Sequence, residues 1–437
     1  MYKFNDRLVN EYKEDIETII LSYLDIIKDV GYINKQFENI HPNDRLINIS
    51  AILLVLSKSK QYIDNNKWKK IVHEYMKLAN NQLLETDRIN ISLYSGITNF
   101  AFSTYMISKE DSLYKKSVDQ LNNIIVNEVY SWLSIINNDN KVKTDNYDII
   151  SGVSGIAAYL LFFEDEYIKE CISEINKYLI EKIILEKEVN GYKVPGWYIK
   201  PEDVNLEDKK NYKTGLFNLG LAHGICSPLA VLGISKKSGI IVDNQTKAID
   251  YILDTLNKLK IEENNSIFWN EMISFNEFID FNSNSYTYGS RASWCYGTPG
   301  ISRSMYIASE SIEKKDTSNL SSKAFSTMCN ESNRSKWMLN SPTLCHGYAG
   351  VLSIALLMMN DTCREENIDA IKYSIDNIIK FYDINNKYLF TNVEGYDDYI
   401  KYEDNIGFLS GSAGIILSLL LVLDIRNRDV FRIMLID

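Results

Sequence analysis

A chain of 437 residues that is 45% hydrophobic and 24% charged can bury a sizeable core, which excludes wholesale disorder. Its net charge of -11 disfavours general nucleic-acid binding, since phosphate contacts need a positive face. The longest apolar run, residues 415–423, falls well short of the roughly 20 residues of a membrane span, and six cysteines without tight spacing read as thiols or metal ligands in a cytoplasmic protein, not as a disulfide framework.

The first seven residues mix charges of both signs and lack the apolar run of a secretory signal, so export is not expected. Over residues 6–29, Leu8, Tyr12, Ile16, Ile19, Ile20, Tyr23 and Ile26 recur close to a 3.6-residue period and predict a helix with one buried face. Residues 46–56 predict a second helix, apolar around more of its circumference and therefore buried more deeply. Glycines and prolines number only 20 and 6, which suits long helices better than a strand-rich fold. His41, before a proline, and His73, in a polar helical stretch, lack any chemical context.

From Tyr94 onward a small-residue turn recurs ahead of an apolar helical run. The turns are Tyr94-Ser95-Gly96, Ile150-Ser151-Gly152, Ala222-His223-Gly224, Cys295-Tyr296-Gly297, Cys345-His346-Gly347 and Leu409-Ser410-Gly411. Their glycines stand 56, 72, 73, 50 and 64 residues apart, room for two helices and their connections in each unit. The expected fold is all-α, an array of helix pairs forming either an open solenoid or a closed ring. Between residues 186 and 220 the helical period fails, and residues 191–199 predict short strands and turns in a small inserted extension. Residues 283–291 and 313–340 read as polar connections.

Aligned on these glycines, Cys295 and Cys345 occupy one register position, and His223, Tyr296 and His346 occupy the next. If the repeats curve around an axis, equivalent positions point to a common centre. Each cysteine alone reads as a small buried hydrophobe, but Cys345-His346 beside a register-equivalent Cys295 reads as a zinc site. Two thiolates and a neutral imidazole would balance the charge of zinc and leave a fourth position for water or an incoming thiol, which would lose its proton there. His223 is a general acid or base candidate. Asp148 suits either an N-cap ahead of Ile149-Ile150 or a partner for His223, and Arg291 either an ion pair or a stabiliser of developing negative charge. Cys171, Cys329 and Cys363 read as structural thiols.

Taken together, Trp294-Cys295-Tyr296-Gly297, Cys345-His346-Gly347 and Ala222-His223-Gly224 resemble the lanthionine synthetase C-like (LanC) cyclases, from Tyr94-Ser95-Gly96 through Ser410-Gly411. The resemblance implies a single α/α toroid over residues 1–437, with seven inner and seven outer helices, residues 46–56 supplying the seventh inner one and residues 186–220 the extension near the peptide-binding side. It also implies zinc on Cys295, Cys345 and His346, proton transfer by His223 and Asp148, and Arg291, Trp294 and Tyr296 lining the site. The implied reaction is addition of peptide cysteine thiols to dehydroalanine or dehydrobutyrine, giving thioether rings in a dehydrated precursor peptide. A separate dehydratase and a peptide transporter would be partners, with the protein cytoplasmic or peripheral at the membrane. Other readings are a glutathione-adding LanC-like protein, a zinc-dependent prenyltransferase-like toroid and a scaffold with structural zinc. After His223 the chain departs from its relatives, since Cys226-Ser227-Pro228 stands where many have Pro-Gly-Pro, bringing a further thiol near the site.

Overall fold

Helices form where the apolar period places them. The computed structural model describes residues 2–85, 90–139, 141–205, 208–281, 291–396 and 399–437. It divides into one unit of Met1–Asn123 with Leu339–Phe431 and another of Ile124–Met338 with Arg432–Asp437.

In the first unit the helix Tyr2–Ile27 buries Leu8, Tyr12, Ile16, Ile19, Ile20 and Tyr23; Ile27 completes the buried face, while Ile26 lies only half-buried. The segment expected to be buried all round is the helix Pro42–Lys58, in which every residue from Ile49 to Ser57 is buried. His41 caps its start, accepting the Asn43 N–H on Nδ1. This helix packs against both Ile97–Glu110 and Ser412–Leu423, and the latter packs on Tyr348–Thr362. Apolar on nearly every face, these inner helices are covered by the amphipathic helices Tyr2–Ile27, Asn65–Leu84 and Ile368–Phe381. The division of labour follows from sequence: a helix apolar all round must be enclosed, and one with a single stripe can face water.

The second unit repeats the scheme. Val153–Leu160 packs on Cys226–Lys237, which packs on Thr298–Ser311, and these inner helices are covered in turn by Glu166–Tyr178, Gln245–Leu259 and Lys315–Met328. The last of these corrects the expectation of a polar connection over residues 313–340, because a fourteen-residue helix lies within it. Its sequence is rich in serine and threonine, poor helix formers in isolation. Here Ser318, Ser321, Ser322 and Thr327 return their hydroxyls to carbonyls of the same helix, while Ala324, Phe325 and Met328 are buried, so tertiary packing overrides propensity. Most of the other expected connection, residues 283–290, lies outside the described residues.

The expected strands of the extension are present as the hairpin Glu186–Val189 with Tyr192–Pro195. Asn190 and Gly191 both have positive φ, 53° and 80°, as a tight two-residue hairpin turn requires. Farther on, Leu216–Asn218 pairs instead with Met272–Ser274, outside the span expected for the extension. Two further hairpins, Ile261–Glu263 with Ser266–Phe268 and Thr391–Tyr396 with Tyr399–Asp404, have no counterpart in the sequence reading. Among the described residues no helix is long and apolar enough to cross a membrane.

Candidate active site

The recurring turns bring their main chains together at equivalent positions. In the second unit Ile149 N–H donates to the Ala222 carbonyl at 3.3 Å, and both Leu221 and Ala222 N–H groups donate to the Cys295 carbonyl at 3.0 and 3.1 Å. In the first unit the Cys345 N–H donates to the Leu409 carbonyl at 2.9 Å. Register equivalence in sequence thus becomes adjacency in space within each unit. The glycines permit this crowding: a Cβ on Gly96 would lie 2.1 Å from the Asn90 carbonyl oxygen of its own turn. Gly297 is constrained further, with φ of 78° and the Arg291 carbonyl oxygen 2.4 Å from where a Cβ would sit.

In the second unit these turns assemble an acid-base pair. Asp148 is fully buried, and its two oxygens have separate duties. Its Oδ1 accepts the Ser151 and Gly152 N–H groups, both at 2.7 Å, and Oδ2 lies 2.6 Å from Nδ1 of His223. Asp148 does meet His223, but it is not an N-cap ahead of Ile149-Ile150: the next helix begins at Val153 with Gly152 as its N-cap, and Oδ1 instead holds the turn leading into it. Burial alone would depress the His223 pKa, but the Asp148 hydrogen bond and charge outweigh it and hold the imidazole above its ordinary value. With Nδ1–H donated to Asp148, Nε2 is the nitrogen left to exchange a proton.

Around this pair, Tyr296 sets its ring 6.4 Å from that of His223. Cys295 is buried, with the Ser293 hydroxyl 3.2 Å from its sulfur. Arg291 is half-buried, and its backbone N–H donates to Glu271 at 2.8 Å. Burial pushes the Glu271 carboxyl above its usual range, partly offset by the Arg291 N–H and charge. Trp294, adjacent to Cys295, is enclosed completely and donates its indole N–H to the Met434 carbonyl at 3.0 Å. Cys226, the thiol after His223, is fully buried at the start of its helix, and burial pushes its pKa far up, so it is chemically quiet.

The first unit holds Cys345, half-buried, and His346, buried. Tyr94, register-equivalent to both site cysteines, lies close enough to Cys345 that the sulfur's charge adds to the burial that raises the phenol pKa. Nε2 of His346 is enclosed without a hydrogen bond, with Glu394 Oε1 3.2 Å away. Among the described residues, no group of three His, Cys, Asp or Glu side chains is gathered closely enough to hold a metal ion. The donor chemistry of Cys295, Cys345 and His346, two sulfurs and an imidazole, nevertheless suits zinc.

Sequence reasoning passed over Ser293, Tyr94, Glu271 and Glu394. Tyr94 could have been found from its register, and Ser293 from its place two residues before Cys295. Glu271 and Glu394 belong to strand-rich connections that no motif marks.

Inner helices entered through glycine turns, with thiols, imidazoles and a buried carboxylate at the turn positions, define a class of helical-pair proteins that concentrate chemistry at the turn ends. The sequence pattern of the lanthionine synthetase C-like proteins matches residues 48–435, and the chain belongs to that family. Among individual relatives, it is 27% identical over 372 residues to the nisin biosynthesis protein NisC of Lactococcus lactis subsp. lactis, covering 85% of this chain and 83% of that one. Its fold matches the solved structure of a nisin cyclase with a TM-score of 0.79 at 24% identity, covering 98% of this chain and 97% of the other. The fold class expected from the resemblance, an all-α toroid of inner and outer helices, is the one this likeness shows.

Proposed function

We propose that the protein is a lanthionine-forming peptide cyclase, adding cysteine thiols of a dehydrated precursor peptide to dehydroalanine or dehydrobutyrine. Family membership and the likeness to nisin cyclase support a thioether-forming enzyme. The single observation that carries the reading on this chain is the pairing of buried Asp148 with half-buried His223, hydrogen-bonded through the main chain to the turn of Cys295.

The chemistry asks for a thiolate, a stabiliser of negative charge and a proton donor. As the thiolate sulfur bonds the β-carbon, the alkene π electrons move toward the neighbouring carbonyl, and the α-carbon then takes a proton. His223 delivers that proton from Nε2, and its raised pKa keeps the ring protonated at higher pH than an ordinary histidine. Asp148 fixes the ring orientation and balances the imidazolium. Arg291 offsets charge developing at the carbonyl, with its backbone anchored by Glu271. Tyr296 forms a wall beside His223. Cys295, Cys345 and His346 are the proposed zinc ligands, and zinc would make a substrate thiol available as thiolate at neutral pH. A separate dehydratase would supply the substrate and a transporter would take the product, with the cyclase working in the cytoplasm or at the membrane surface.

Ring closure leaves peptide mass unchanged, so the test counts thiols by alkylation and mass spectrometry after exposure to a dehydrated precursor. Each ring formed should remove one alkylatable cysteine. A parallel reaction with a dehydrated peptide lacking cysteine, plus glutathione, distinguishes intermolecular addition. Persistence of every thiol on a precursor encoded beside this protein's gene would refute the cyclase reading.

A further inference from the structure

Two histidines share one register position, and each has a carboxylate at a different ring nitrogen. His223 presents Nδ1 to Asp148 at 2.6 Å, whereas His346 has Nε2 beside Glu394 Oε1 at 3.2 Å. We propose that Glu394 is a positioning residue for His346: it accepts a hydrogen bond from Nε2–H and thereby leaves the lone pair of Nδ1 as the metal-binding site. This deepens the zinc reading above and rests on it.

The surroundings of Glu394 are built to hold it. Its Oε1 accepts the Asn392 amide at 2.8 Å, and Asn392 Oδ1 accepts the Ser341 hydroxyl at 2.8 Å. Both Asn392 and Ser341 are buried, and the Ser341 carbonyl accepts the Tyr348 N–H at the far end of the turn that carries Cys345 and His346. The hairpin carboxylate is therefore tied to the same turn as the imidazole it faces. Nε2 is enclosed and lacks a hydrogen bond, a costly state for a buried polar atom, and Glu394 stands within ion-pair reach but off the N–H line. Rotation about the imidazole's soft Cβ–Cγ torsion would align the two.

Neutral imidazole carries one proton, so a carboxylate that accepts a hydrogen bond from it at one nitrogen leaves the lone pair on the other. Nδ1 lies nearer the main chain, which suits a histidine that must share an ion with the cysteine immediately before it. His223 has the opposite arrangement, leaving the longer-reaching Nε2 for proton delivery. A carboxylate behind a ligating histidine fixes its tautomer and raises its basicity, and loss of such a partner typically weakens metal binding by about 10–100-fold.

The test uses zinc and cobalt(II) on the full chain, without peptide. Wild type should bind about one ion per chain, and Glu394→Gln and Glu394→Ala should bind zinc about 10–100-fold more weakly in competition with a chromophoric chelator. Their cobalt absorption bands should keep their wild-type positions, because the ligands themselves are unchanged. Glu394→Asp should recover part of the affinity, and circular dichroism checks that each variant is folded. Nitrogen NMR of His346 should show the Nε2–H tautomer in wild type and a mixture in Glu394→Ala. Equal zinc affinity in folded variants overturns the proposal, as does a shift of the cobalt bands, which would make Glu394 a ligand. Absence of metal binding by wild type sinks the zinc reading itself and this inference with it.

Discussion

Replacing Asp148 with Asn removes the charge behind His223 while nearly preserving shape. Asp148 Oδ1 holds two backbone N–H groups and Oδ2 faces His223. An asparagine that keeps its oxygen on those N–H groups must turn its amide toward Nδ1, which forces the neutral ring to carry its proton on Nε2. A hydrogen bond to a charged group contributes about 1.5–3 kcal/mol. Because the His223 side chain is 38% exposed, water screens the pair and the low end applies. Losing the carboxylate's charge should therefore lower the His223 pKa in the variant. The wild-type pKa is raised, so the stability this pairing contributes is fully present below the ordinary value of 6.5 and disappears as pH rises through the raised one. Ring formation should suffer most between the variant and wild-type pKa values, where only wild type retains the proton. NMR titration, with His223→Ala assigning the resonance, measures the first effect, denaturation at several pH values the second and thiol-consumption profiles the third. An unchanged or raised His223 pKa in Asp148→Asn would refute the reasoning.

Gly297→Ala should lose about 1–3 kcal/mol in thermal unfolding, since its backbone occupies a region essentially reserved for glycine and its turn leaves no room for a methyl group. Metal analysis should find about one zinc per chain in wild type and in His223→Ala, and little in Cys295→Ala or Cys345→Ala. Undiminished zinc in both cysteine variants would reject the ligand set. In native alkylation, exposed Cys363 should react first, while Cys171, Cys226 and Cys329 should resist, being buried with raised thiol pKa values, that of Cys171 about 12. Fast labelling of Cys226 would show that the helix it begins opens readily. Trp294→Phe, which removes the hydrogen bond to Met434, should cost about 1 kcal/mol in urea unfolding.

The inner helices that follow the recurring turns were legible because they announce themselves twice, through a largely apolar sequence and through glycine at the entrance, whereas Pro42–Lys58 was legible from its apolar run alone. The register that aligned His223 with His346 also anticipated that Ala222 and Cys295 would meet, as their main chains do. The helix Lys315–Met328 was hidden because serine hydroxyls satisfied within a helix look, in sequence, like a polar loop. Hairpins were legible only where Asn190-Gly191 supplied a strong turn signal; the hairpin bearing Glu394 has no such pair in its described part. Trp294 was placed at the site by the family resemblance alone, and its hydrogen bond to Met434, 140 residues away, is a contact that no local pattern records. Carboxylates such as Glu271 and Glu394 act through contacts distant in sequence, and no local pattern records them.

The joints between neighbouring turns are made by main-chain groups, Ile149 to Ala222, Ala222 to Cys295 and Cys345 to Leu409. An amide bond of this kind is indifferent to the side chain that its residue carries. Serine, histidine or tyrosine can therefore occupy the position beside each glycine without loosening the frame, as Ser151, His223 and Tyr296 do in one unit. Such a scaffold is a set of interchangeable sockets: reactive groups can be exchanged socket by socket while the architecture persists, so new chemistry in this fold need not begin with a new fold.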